Sequence, residues 1–253
     1  MSFGVNGLYT PIFAYSLGPG AGTFSLGTAT TYNQAVGNLI VVAITAYDGS
    51  AIWSTIAVHD TAGNTYLPLT RFAVGVNRTV QFFYAKNCLG SAVNQPAVYF
   101  TLGAGAYQFF ITIMAWDISG ADLVSPSCGE AMGWQTPSGG TLSTGQGAGS
   151  SNLTTTKTNS VILAMAVQAD FGTTGARSAA GGFTQDDTDW GGGYDDLWAG
   201  HLFETSLQSG LVVTVNTTAT FVAGLIVAEA FASATQPAAS TNTNQLMLVG
   251  CGT

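Results

Sequence analysis

The chain predicts an all-β fold: an antiparallel, jelly-roll-like β-sandwich of about ten strands. Three observations predict it. Short apolar runs rich in β-branched residues recur along the length, turn-forming Gly, Asn and Asp part them, and no long stretch carries the 3.6-residue period of an amphipathic helix.

Residues 38–47 (NLIVVAITAY) lead the series. Ile40, Val41, Val42 and Ile44 would crowd a helix at χ1, whereas a pleated strand accepts branched side chains. Gly37 on one side and Asp48-Gly49 on the other supply the turns. Runs of the same character follow at 55–60 (TIAVHD), 79–87 (TVQFFYAKN), 97–102 (AVYFTL) and 108–118 (QFFITIMAWDI), parted by Ala62-Gly63-Asn64 and Gly103-Ala104-Gly105. The second half repeats the style at 160–170, 196–205, 211–217 and 220–232. The last run has an Ala-rich end and is the strongest helix competitor, but Gly224 and its branched residues favour a strand.

Two segments fall outside the pattern. Residues 119–156, rich in Gly, Ser, Thr and Pro, read as a long loop excursion of the kind that carries binding or interface function. Residues 233–253 read as an extended tail that ends in a short apolar run, LMLVGC at 246–251. A single sandwich domain over 1–232 followed by that tail is the expected organisation.

Charged residues make up only 7% of the chain, and 13 Asp and Glu against 5 Lys and Arg leave a net charge of −8. So few cations neutralise few phosphates, which argues against a nucleic-acid partner. No apolar run reaches the roughly 18 residues of a bilayer span. The opening Met1-Ser2-Phe3-Gly4 lacks the basic start and apolar stretch of a secretory signal, so a leader was either removed or never used. Cys88, Cys128 and Cys251 are odd in number and widely spaced, which speaks against a disulfide framework or a zinc site and leaves room for at most one bridge. A surface solvated by hydroxyls and amides points to an extracellular or virion-surface location.

The densest polar cluster is QDDTDWGGGYDDLWAGH at 185–201. Asp186, Asp187, Asp189, Asp195 and Asp196 around three glycines suit Ca²⁺, which takes several oxygen ligands in loose geometry, although no Glu closes the loop as in an EF-hand. Trp190, Tyr194 and Trp198 are the carbohydrate-stacking candidates, with neighbouring Asp to accept hydroxyl protons. A solvated acidic hairpin with its aromatics in the core accounts for the same residues. No cofactor is required on either reading, and Ca²⁺ is the candidate metal.

Catalysis finds little support. Glu130, Glu204 and Glu229 are scattered, His59 and His201 are the only histidines, and neither a G-x-S-x-G elbow nor a phosphate-cradling loop occurs. His59 reads as a strand-end hydrogen-bonding group, and His201 lies in a strand beside the acidic segment. The sequence therefore points away from an enzyme.

Taken together, GNLIVVAITAYDGS at 37–50, VHDTAGNTY at 58–66, QFFYAKN at 81–87 and ITIMAWDISGAD at 111–122 resemble a β-sandwich module that recurs in secreted bacterial proteins and phage genomes. The resemblance covers most of 1–232. It implies a lectin-like or jelly-roll sandwich, serving as an accessory or adhesive domain or a virion surface protein, with no catalytic residues to carry over.

The expected role is a structural or decorating component of an extracellular assembly, most of all a phage particle. Leu246, Met247, Leu248 and Val249 would add a strand to a neighbouring subunit in a homo-oligomer or to another structural subunit; packing on their own sandwich is the other reading. The alternative role is a lectin-like module binding surface glycans, with or without Ca²⁺.

Overall fold

A computed structural model of the protein describes residues 2–17, 23–27, 32–48, 55–74, 78–101, 108–135, 138–169, 177–179, 181–187, 190–191, 195–221 and 223–235. Its elements are β1 (Gly4–Leu17), β2 (Thr23–Gly27), β3 (Tyr32–Gln34), β4 (Leu39–Asp48), β5 (Thr55–Asp60), β6 (Leu67–Val74), β7 (Arg78–Ala85), β8 (Ser91–Asn94), β9 (Pro96–Thr101) and β10 (Gln108–Ser119). The second half supplies β11 (Ser127–Gln135), β12 (Ser138–Ser143), β13 (Ser160–Ala169), β14 (Arg177–Ala179), β15 (Thr184–Asp187), β16 (Trp190–Gly191), β17 (Asp195–Glu204), β18 (Thr214–Phe221) and β19 (Ala223–Ala232). The fold is all-β, with antiparallel sheets and no helix among the described residues.

The sheets have an internal order that repeats. β1-β10-β4-β7-β6 form one sheet and β2-β9-β5 a smaller one; β11-β19-β13-β17-β15 form a third and β12-β18-β14 a fourth. Among the described residues, setting aside the short β3–β8 ribbon and β16, each half lays down eight strands. Its large sheet takes the first, eighth, third, sixth and fifth, and its small sheet the second, seventh and fourth.

Details repeat as well. A bulge falls between Val5 and Gly7 in β1 and between Ser127 and Gly129 in β11, opposite matching places in β10 and β19. Gly37 and Asn159, just ahead of β4 and β13, both take positive φ, and their amides donate to the Cys88 and Thr205 carbonyls at 2.9 and 3.5 Å.

The two large sheets face each other. Leu39, Val41 and Ala43 of β4, Val80 and Phe82 of β7, and Met114, Trp116 and Ile118 of β10 share one core with Val161, Leu163 and Met165 of β13, Leu197 and Ala199 of β17, and Val227 and Phe231 of β19. β7 lies against β19 while β10 lies against β17, so the sixth strand of each half meets the eighth of the other. That reciprocity is an isologous, two-fold-like interface of the sort found in symmetric dimers, here within one chain.

A second core fills the other face of the third sheet, where Ile162, Ala164, Trp198, Ile226 and Ala228 pack with Leu142, Val213 and Val215. In the first half, Ile40, Val42, Ile44, Phe83 and Ile113 are buried on the corresponding face, and Val58 of β5 shares a cleft lining with Phe83. The central strands are therefore covered on both faces, which explains why β4, β13 and β19 read as continuous apolar runs instead of alternating ones.

The expected loop over 119–156 is corrected: it holds β11 and β12. Its glycines are there for close approach, which only a residue without Cβ permits inside a strand. A Cβ on Gly133 would overlap the Ser143 carbonyl, and one on Gly129 would come within 2.5 Å of the Thr154 oxygen. The start of the same segment links the halves and is tied to the end of β19: Asp122 N–H donates to the Ala232 carbonyl, Ala234 N–H donates to that of Gly120, and Lys157 pairs with Asp122 at 2.6 Å.

Candidate functional site

The acidic segment divides between core and hairpin. β15 pairs with β17 through a bulge between Gln185 and Asp187, and the extra residue, Asp186, is turned inward between the large sheets. Its side chain is 1% exposed; one oxygen accepts from Trp116 Nε1 at 2.7 Å, and the other lies 2.7 Å from His201 Nδ1. With both oxygens engaged, Asp186 is withdrawn from the expected Ca²⁺ set. It instead joins β10 of one half to β15 and β17 of the other.

Trp198 is also corrected as a sugar platform. It is fully buried, edge-on to Phe183 at 6.0 Å between ring centroids, and covers Gly200, whose missing Cβ makes room for the indole. The backbones of Asp187, Trp190, Asp195 and Asp196 lie in strands, Trp190 paired with Asp196. The side chains of those four residues, together with Asp189, Tyr194 and Leu246, Met247, Leu248 and Val249, lie outside the described residues. Among the described residues no three His, Cys, Asp or Glu side chains gather as a metal-binding group.

The structure draws together a different set of residues at the end of β5. Asp60 Oδ1 accepts from the Asn64 amide at 2.9 Å, and Oδ2 accepts from Asn64 Nδ2 at 2.6 Å, Tyr66 OH at 2.9 Å and Asn94 Nδ2 at 3.0 Å. Gly63, at φ +82°, lets the turn close. Asn64 Oδ1 in turn accepts from Leu89 N–H at 2.7 Å, and Gln34 Oε1 accepts from Asn94 at 2.7 Å, so the turn is stapled to β3 and β8. Burial pushes the Asp60 carboxyl up, but the bonds from Asn64, Asn94 and Tyr66 together outweigh it and hold the group below its ordinary value.

Beside this network opens a cleft of about 470 Å³ with Ile56, Val58, Pro68 and Phe83 on its apolar side and His59, Asp60 and Tyr66 among its polar groups. Every oxygen of Asp60 is already an acceptor, so the carboxylate shapes the cleft and is not set up as a proton donor or nucleophile. The D-x-x-G-N-x-Y spacing was visible in the sequence; Gln34 and Asn94 were not, because a lone Gln or Asn in a polar chain carries no signal. Cys88 and Cys128 are buried free thiols, each pushed up to about 11 by that burial.

Comparison with protein-family models, with curated proteins and with solved structures finds no match. Among the described residues no helix is long and apolar enough to cross a membrane.

Proposed function

We propose that this chain is a non-catalytic structural or decorating component of an extracellular assembly, a virion surface above all, built as two tandem jelly rolls. The observation that carries the reading is the repeated strand order, first-eighth-third-sixth-fifth over second-seventh-fourth in each half, joined through a reciprocal face. Jelly rolls arrange eight strands in two such sheets; here the fifth strand sits beside the sixth. Low charge and the use of Asp60, Asp122 and Asp186 in internal bonds add support, since these carboxylates hold strands together.

The test is the solution mass by light scattering of the intact chain and of one ending at Ser233. A defined oligomer that falls to monomer on truncation supports the reading and makes the tail its connector. Monomers in both cases retire it. The second reading, a lectin-like module, is favoured by the cleft beside Asp60, with its apolar wall and polar rim. It would then be pursued by glycan screening with and without Ca²⁺.

A further inference from the structure

Matching rows cross the two facing sheets. In the first half, Trp116, Val41 and Tyr84 stand side by side on β10, β4 and β7; in the second, Glu229, Leu163 and His201 occupy the same register on β19, β13 and β17. Trp116 has its N–H answered across the interface by Asp186. Glu229, in the equivalent place, has no such answer: it is fully buried, and among the described residues neither carboxyl oxygen has a hydrogen-bond partner. An ionised carboxylate there would forfeit its hydration with nothing in return, while the neutral acid forfeits far less.

We propose that Glu229 is a proton-operated latch in the interface between the two halves: the sheets close over it as the neutral acid, and loss of that proton loosens β19 from β7.

The surroundings reinforce this. From β11 the directly paired residue is Glu130, an exposed carboxylate of the same sign. β13 presents Val161, Leu163 and Met165 to this face and no titratable group. From β7 comes Tyr84, half-buried, whose ring lies 6.3 Å from that of Phe231, the next core residue of β19 on the same face. Two strands away on its own sheet, His201 is engaged with Asp186. Among the described residues no cation is paired with the carboxyl, and burial followed by the charge of Glu130 pushes its pKa well above the ordinary value.

The sign follows from linkage. An acid that ionises at higher pH when folded binds its proton more tightly in the folded state, so stability falls as pH rises above the ordinary value of 4.5 and continues to fall until Glu229 itself ionises in the folded chain. Titrating groups remote from Glu229 are common to the wild-type chain and a Glu229→Gln variant and cancel in their difference, which leaves Glu229 and its coupling to Glu130.

The experiment is urea unfolding of the full chain and of Glu229→Gln from about pH 4 to about pH 9. The wild type should lose stability relative to the variant by up to about tenfold in the folding constant per pH unit over part of that range, the slope of one linked proton. Protection of the β7 and β19 amides from hydrogen exchange, with the intrinsic pH dependence of the rate divided out, should fall over the same range in the wild type alone. A constant offset between the two curves would overturn the latch, because it means Glu229 titrates alike folded and unfolded. If Glu229→Gln does not fold, the carboxyl is read directly in the wild type by infrared spectroscopy. A protonated-acid carbonyl band persisting at neutral pH supports the proposal, and its absence overturns it.

Discussion

At Asp60 a single carboxylate gathers four donors from the turn that follows β5 and from β8. Asp60→Ala strands those donors and is expected to cost about 2–4 kcal/mol of unfolding free energy, measured by urea denaturation, since bonds to a charged group are worth more than neutral ones. Because the folded carboxyl ionises below the ordinary value of 3.8, its contribution is present above that pH and is lost as acidity passes through the lower, folded value. The gap between wild type and variant should therefore narrow in acid. The turn that holds Asp60 was legible from its spacing. The fates of Asp186 and Trp198 were not: a bulge sends one inward, and a neighbouring Gly200 admits the other to the core. Composition grouped both residues in one acidic, aromatic-rich segment; Trp198 already fell within the strand expected over 196–205, whereas the inward turn of Asp186 appears only once β15 is paired with β17.

Strands differ in how plainly they announce themselves. β4, β10, β13 and β19 were legible because burial on two faces filters their composition toward branched and apolar residues. β1, β11 and β12 were missed, since glycine and hydroxyl-bearing residues there look like loop. In β11 the glycines answer a spatial demand. Gly133→Ala sets a methyl group against the Ser143 carbonyl and should cost stability toward the upper end of about 1–3 kcal/mol, again by urea denaturation. An unchanged midpoint would mean that β11 and the end of β12 can move apart freely.

The molecule as a whole joins two like halves through one shared core. Neither large sheet has its inner face covered without the other, so calorimetry should show one unfolding transition whose van't Hoff and calorimetric enthalpies agree. Two resolved transitions would mean that the halves are stable apart. The sequence carried a trace of this plan in the similar runs at 38–47 and 160–170, but not the reciprocal contact, because which apolar face meets which is a long-range choice that hydrophobicity leaves open. Fusion also confers a freedom that a homodimer lacks. In a two-fold dimer of identical chains every substitution at the contact is made twice, so a carboxyl placed there would be buried in duplicate. Here the partner positions belong to one chain and can drift separately, one becoming an indole and the other an acid, as at Trp116 and Glu229.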